Sequence, residues 1–161
     1  MINKPGINAT ESDLVRFVHE WVKLCSAGKI TDAFSLLDGP VDESRHTWTP
    51  DDIKEVTYNH FDDEKYPIIT DPDEAEGNIR KDSFEYNDGS GWGVAYDLPL
   101  NGVVSDFTLM FDFINERDHC EVFRPDTLKI RFAKRWQGFN YLIPKQWRRH
   151  FSLYSDGRRF I

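Results

Sequence analysis

The chain has 161 residues, of which 39% are hydrophobic and 14% aromatic. This length and composition suit one folded domain with an aromatic-rich core, and they exclude a disordered chain. Two cysteines are too few for a disulfide scaffold, and no apolar run is long enough for a signal peptide or a membrane span. We therefore expect one cytoplasmic domain over residues 1–161, with a loose leader at residues 1–9, no membrane association, no cofactor and no bound metal.

The formal net charge of -8 is unevenly distributed along the chain. Residues 42–88 contain 15 acidic and 5 basic residues, whereas residues 124–161 contain 2 acidic and 10 basic residues. Either the two segments neutralise each other in the fold, or one of them offers a surface to an oppositely charged partner. Residues 134–161 form a basic, aromatic C-terminal extension. Because the chain is acidic overall and has no recognition module, nucleic acid is not the expected partner.

Helical periodicity dominates the first third of the chain. We expect a first helix that begins after Thr10 or Ser12 and ends before Gly28, where a positive φ suits the residue after a helix. Thr31 is expected to cap a second, shorter helix, and a third is expected from Pro50 to about Phe61 because Thr-Pro-Asp-Asp is a strong helix start. The apolar face of the first helix consists of Leu14, Phe17, Val18, Trp21, Leu24 and Cys25.

Alternating apolar and polar residues follow from residue 83 onward and predict a β-sheet. Residues 62–82 are expected to form an acidic loop with a short strand at Ile68–Thr70. Asn101-Gly102 predicts a two-residue type I′ turn, because both central residues of that turn need positive φ. The predicted strands cover residues 83–87, 92–100, 103–114, 120–123 and 127–132. Helices followed by an antiparallel meander indicate an α+β fold, with N-terminal helices packed on a curved antiparallel sheet.

A two-residue turn fixes the register of the two longest strands. It places Tyr96 opposite Phe107 on an apolar face, and Asp97 opposite Asp106 on the other face in a close, non-hydrogen-bonded pair. Two carboxylates at that distance would repel each other. Three interpretations remain open: neutralisation by basic residues of the strand at 127–132, a binding site for a cation or a basic side chain, or an acid–base pair with separated pKa values.

Several features resemble a known superfamily over residues 12–132. They are Phe17 and Trp21 in the opening helix, the break at Gly28, Ala33-Phe34 and Leu36-Leu37 in the second helix, and the long antiparallel strands. This pattern resembles the NTF2-like superfamily, a cone-shaped α+β roll. Residues 96–102 and 105–108 resemble small uncharacterised bacterial proteins, some of which look like immunity proteins of toxin systems. The superfamily includes isomerases, dehydratases and binding domains, so the resemblance implies a fold and not one activity.

Two classes of function follow. The first is a non-catalytic binding protein, for example an immunity-type inhibitor, whose acidic segment at residues 42–88 faces a basic protein partner. The second is an NTF2-like small-molecule-binding domain or an isomerase, dehydratase or hydrolase, with a pocket between helices and sheet. A homodimer is compatible with both. The candidate pocket or binding residues are Trp21, Tyr58, Trp92, Tyr96, Asp97 and Asp106.

Overall fold

The computed structural model describes residues 2–38, 49–61, 66–115 and 120–123. The helices in these ranges are α1 (Glu11–Ser26), α2 (Ile30–Phe34) and α3 (Pro50–Phe61). The strands are β1 (Lys81–Glu85), β2 (Gly91–Leu100), β3 (Val103–Asn115) and β4 (Cys120–Phe123), and they form one antiparallel sheet in the order β1-β2-β3-β4. The predicted α+β class is confirmed. The strand predicted at 127–132 and the extension at 134–161 lie outside the described residues.

The ends of α1 and α3 follow from local capping. Thr10 caps α1 in a capping box with Asp13, and Gly28 lies just past its end with φ +76°. Thr49 makes the same reciprocal pair of bonds with Asp52 at the start of α3. Both helices therefore begin where the sequence predicts.

The start of α2 corrects the prediction. The helix begins at Ile30, so Thr31 lies inside it, and the N-cap residue Lys29 makes no side-chain capping bond. The Lys29 carbonyl already accepts the Ala33 N–H at 3.0 Å, which starts the helix two residues before the predicted position. Lys29 is the only residue between Gly28 and α2, and it occupies the N-cap position. Thr31 is therefore the second residue of the helix and not its cap.

The β2–β3 hairpin turns at Asn101-Gly102, as predicted, with φ angles of +52° and +89°. The register agrees with the prediction for the first two pairs, and a bulge between Asp97 and Pro99 then shifts it. Beyond the bulge, Tyr96 pairs with Leu109 and not with the residue two positions earlier. Because a shift of two residues preserves the alternation of side chains, the apolar face is the predicted one with displaced partners.

Ser105 accounts for the bulge. Its hydroxyl donates to the Leu98 carbonyl at 2.5 Å and accepts the Phe107 N–H at 3.2 Å. One side chain thus bonds backbone groups on both strands where the regular ladder is interrupted. A register derived from turn length alone does not include this local rearrangement.

The core lies between the helices and one face of the sheet. Phe17 of α1 packs edge-on against Phe113, with ring centroids 5.9 Å apart, and Trp21 packs in the same way against Phe111 at 5.3 Å. Among the described residues, the largest fully buried side chains include Trp21, Tyr96, Phe107, Phe111 and Phe113. Aromatic side chains therefore fill the space between α1 and the sheet in the described part of the chain.

Residues 68–77 wrap around the tip of the β2–β3 hairpin. Ile69 forms an antiparallel bridge with Leu100 on one side of the tip, and Glu76 forms a parallel bridge with Val103 on the other. The predicted short strand at 68–70 is therefore reduced to a single bridge. The wrap carries the acidic residues between its two bridges over the hairpin tip and towards α1.

Candidate functional site

Trp21 lies in the core and links two helices. The side chain is fully buried, and its indole Nε1–H donates to the Ala33 carbonyl at 2.7 Å. The ring also lies 5.4 Å from Phe34 and packs on the sheet through Phe111. The sequence selected Trp21 as a pocket residue, but its contacts here join α1, α2 and β3.

Tyr58 and Trp92 lie on separate elements. Tyr58 on α3 is half-buried, and its ring centroid is 4.7 Å from that of Tyr66. Trp92, also half-buried, pairs with Phe113 near the start of β2 and packs against the edge of the core. Neither side chain lines either of two surface grooves found among the described residues.

The predicted opposition of Asp97 and Asp106 is wrong. Asp97 pairs with Thr108, whose hydroxyl donates to its carboxylate at 2.6 Å. Asp106 lies within the bulge and is exposed. The physical reason is the two-residue shift centred on Ser105, which replaces a facing carboxylate with a hydroxyl donor. The proposed neutralising strand at 127–132 lies outside the described residues.

Tyr96 belongs to a polar cluster at the boundary of the core. Its hydroxyl oxygen lies 2.9 Å from Nδ1 of His19, and Nε2 of His19 lies 3.1 Å from a carboxylate oxygen of Asp73. The second Asp73 oxygen is 2.5 Å from Nζ of Lys23, which also lies 3.8 Å from Asp71. We refer to the first three residues as the Asp73–His19–Tyr96 chain. It joins the wrap, α1 and β2 from the surface to the core.

The two ends of the Asp73–His19–Tyr96 chain differ in protonation, because the pKa of Tyr96 is raised and the pKa of Asp73 is lowered. Burial, with a smaller effect of the Asp73 and Asp71 carboxylates, raises the pKa of Tyr96 well above its ordinary value, so the phenol stays protonated. The hydrogen bond from Lys23 holds the pKa of Asp73 below its ordinary value, so this carboxylate stays charged. With His19 neutral, the phenol can donate to Nδ1 and Nε2–H to Asp73. Such an arrangement can transmit a proton, or it can orient the His19 ring.

An open groove of about 580 Å³ lies beside the Asp73–His19–Tyr96 chain. Its lining carries both charge signs, so a ligand there would need both donor and acceptor groups. Tyr96 is fully buried, which leaves His19 and Asp73 as the members of the chain that reach the groove. The charged and polar residues that line it are Glu11, Ser12, Arg16, His19, Asp73 and Lys81.

Sequence reasoning missed His19 and Asp73. His19 is 77 residues from Tyr96 along the chain, and the three members of the cluster come from a helix, a loop and a strand. No local spacing links such positions. The available signal was weak: a histidine next to the apolar stripe of α1, and one acid among many in a loop.

The acidic loop, which we define as residues 71–76, is held by several bonds. The Asp71 carboxylate accepts the Asp73 N–H at 2.9 Å, and the Asp71 carbonyl accepts the Glu74 N–H at 3.0 Å. At its end, the Glu76 N–H donates to the Gly102 carbonyl at 2.8 Å. Asp71 and Asp73 face Lys23, whereas Glu74 and Glu76 are exposed, and among the described residues no cation lies within ion-pair distance of either glutamate. The loop thus presents the carboxylates of Glu74 and Glu76 to solvent from a backbone that these hydrogen bonds hold in place.

Neither a metal centre nor a membrane-spanning helix is found in the described part of the chain. No group of three or more His, Cys, Asp or Glu side chains there could hold a metal ion. None of the helices in the same ranges is both long and apolar enough to cross a membrane. Cys25 and Cys120 are buried and are not joined in a disulfide.

Comparisons with known proteins give no relative from which a function could be transferred. No protein-family model, no curated protein and no solved structure matches the chain. The features that bear on function are the geometry of the acidic loop and of the Asp73–His19–Tyr96 chain.

Proposed function

We propose that the protein is a non-catalytic binding protein that presents the acidic loop to a basic protein partner. The observation that carries the proposal is that two of the loop's four acids bind the loop to the rest of the protein, whereas the other two face solvent. Asp71 and Asp73 attach the loop to α1 through Lys23, and this attachment leaves Glu74 and Glu76 exposed on an ordered backbone. The filled core of the described residues supports the same choice, because a small-molecule site usually needs a concave, enclosed pocket.

Preorganisation is the physical advantage of this loop. Ordering a flexible segment at an interface costs free energy that reduces affinity. In the free protein the loop is already held by the bridges at Ile69 and Glu76 and by the contacts of Asp73 with His19 and Lys23. Exposed carboxylates of one sign also steer a cationic partner and raise its association rate, mainly at low salt. An immunity-type inhibitor of a cationic toxin is one concrete form of this function.

The test uses basic proteins encoded by genes adjacent to this one, produced separately and measured by biolayer interferometry. Reversing both charges, Glu74→Lys with Glu76→Lys, should weaken binding by about tenfold or more, mostly through slower association. Asp51→Lys with Glu55→Lys, two exposed acids on α3, is the matched control and should change affinity much less. Equal losses in both double variants would show that only net charge matters and would contradict a site at the acidic loop.

A second candidate is an NTF2-like small-molecule-binding domain or enzyme. The observation that favours it is the Asp73–His19–Tyr96 chain beside the groove, since a histidine oriented by a carboxylate is a common acid–base element. Helices packed on one face of a sheet with long, bulged central strands support the roll itself.

The second candidate is tested by a thermal-shift screen against small carboxylates, phosphates and amino acids. A ligand that stabilises the protein, and whose effect disappears in His19→Gln, would favour it over the protein-binding proposal. No stabilising ligand, together with binding of a basic protein through the acidic loop, would reject it.

A further inference from the structure

Strand β1 forms an edge of the sheet. The Tyr86 N–H donates to the Gly91 carbonyl, and the Asp97 N–H donates to the Arg80 carbonyl. In an antiparallel pair these bonds recur at every second residue, so Arg80, Asp82, Phe84 and Tyr86 bond towards β2. Lys81, Ser83 and Glu85 must then direct their N–H and C=O groups outward, and no described segment pairs with them.

At the opposite edge of the sheet, strand β4 has backbone groups that are hydrogen-bonded by another part of the chain. On β4, the Val122 carbonyl accepts the Asp38 N–H at 2.8 Å, and the Val122 N–H donates to the Asp38 carboxylate at 2.9 Å. A single residue, Asp38, therefore bonds both the N–H and the carbonyl of Val122 on β4. Among the described residues, β1 has no such cover. An uncovered edge is a template for pairing with another strand.

The sequence of β1 is complementary to itself when one copy is reversed. If two copies meet antiparallel with Ser83 opposite Ser83, Lys81 of each copy faces Glu85 of the other. Both residues are exposed, and all three pairs are of the hydrogen-bonded kind because they join the outward-directed positions. Opposite charges placed directly across an antiparallel pair stabilise it.

The other face of the strand agrees with the same register. Phe84, which is 42% exposed, would face Asp82 of the second copy, and Arg80 would face Tyr86 of the second copy. Phe84 and Tyr86 already pack edge-on, with ring centroids 5.8 Å apart, so each copy would offer an aromatic pair to the other copy's Arg80. An arginine over an aromatic face is a favourable contact.

We propose that the protein forms a two-fold symmetric homodimer through antiparallel pairing of its β1 edges, centred on Ser83. The charge pattern selects this register. A register centred on Lys81 would place the Lys81 side chains of the two copies opposite each other, and a register centred on Glu85 would do the same for Glu85. Like charges directly opposite each other destabilise a strand pair. The dimer goes beyond the proposed function, because the acidic loop lies at the hairpin tip, outside β1. Lys81 is the one residue of β1 that also lines the groove of the second candidate.

Sedimentation velocity over a range from low micromolar to several hundred micromolar tests the dimer. The wild-type chain should show a monomer–dimer equilibrium. Lys81→Glu and Glu85→Lys should each weaken association by about tenfold or more, because each substitution creates two like-charge pairs across the axis. An equimolar mixture of the two variants should recover association, since a heterodimer then has opposite charges at both positions. Circular dichroism checks that both exposed-site variants fold.

Disulfide trapping tests the position of the axis. Ser83→Cys should cross-link rapidly under mild oxidation, because the two Cα atoms in a hydrogen-bonded pair lie about 5.5 Å apart, within reach of a disulfide. Glu85→Cys is the control, since this residue faces Lys81 and not itself. A wild-type chain that remains monomeric throughout, a dimer that is insensitive to both charge reversals, a variant mixture that stays monomeric, or equal cross-linking of both cysteine variants would overturn the proposal.

Discussion

Replacing Trp21 by phenylalanine removes the indole N–H that donates to the Ala33 carbonyl and leaves a gap beside Phe111. Losing this bond costs about 0.5–1.5 kcal/mol, because the Ala33 carbonyl also accepts the Leu36 N–H at 3.2 Å and keeps a donor. The volume of the missing ring adds a cavity cost, which we take as roughly 1 kcal/mol because the phenyl ring fills part of the space. We therefore expect Trp21→Phe to lower the free energy of unfolding by about 1.5–2.5 kcal/mol.

Urea unfolding monitored by far-ultraviolet circular dichroism measures this loss. Trp92→Phe is the matched control: it deletes the same atoms from a half-buried side chain and should cost about 1 kcal/mol or less. A loss below 1 kcal/mol in Trp21→Phe, or equal losses in the two variants, would refute the assignment of Trp21 to the link between α1 and α2. It would restore Trp21 as a candidate for the lining of a ligand pocket.

Three further substitutions test the sheet and the cluster. Gly91→Ala should cost roughly 3 kcal/mol in urea unfolding, because a Cβ there collides with the backbone carbonyl of Phe113, which the sheet holds in place. Asp97→Asn should cost about 1 kcal/mol or less, because the amide oxygen can still accept the Thr108 hydroxyl. In Asp73→Asn, stability should depend less on pH in acid. A carboxyl pKa held below 3.8 in the folded state stabilises the protein above that pH, and this contribution is lost as the pH falls through the folded-state value.

Each of these has its own control. The three atoms nearest to a Cβ at Gly93 belong to the ring of Phe84, a half-exposed side chain that can turn away, so Gly93→Ala should cost much less than Gly91→Ala. If Asp97→Asn clearly raised the stability, relief of repulsion between carboxylates would be the better explanation and the bulged register would be wrong. For Asp73, unfolding is compared between about pH 6 and about pH 3 with Glu74→Gln alongside. Equal pH dependence in wild type and Asp73→Asn would contradict the lowered pKa.

The structure also clarifies the acidic middle of the chain. Part of its charge is used internally, since Asp71 and Asp73 lie against Lys23 and Asp82 pairs with Arg80. The excess of acids therefore overstates the charge that is available to a partner. Glu74 and Glu76 remain exposed on the hydrogen-bonded backbone of the acidic loop, and the proposal of a partner-binding loop depends on that placement and not on the number of acids.

Features that depend on a few neighbouring residues could be predicted from the sequence alone. The caps at Thr10 and Thr49 fixed where two helices begin, because a capping bond spans only three residues. Asn101-Gly102 fixed the hairpin turn, because both residues accept positive φ. Alternation then assigned the correct face of each long strand, and the order of these elements gave the α+β class.

Only the tertiary structure decided the rest, since those features join residues that are far apart in the chain. The Ser105 bulge depends on a hydroxyl reaching the opposite strand, and it turned a predicted pair of facing carboxylates into the Asp97–Thr108 bond. The contact between His19 and Tyr96 required a helix, a wrap and a strand to meet. A one-dimensional pattern records the preferences of each segment, but which distant side chains share a surface is settled by how the segments pack.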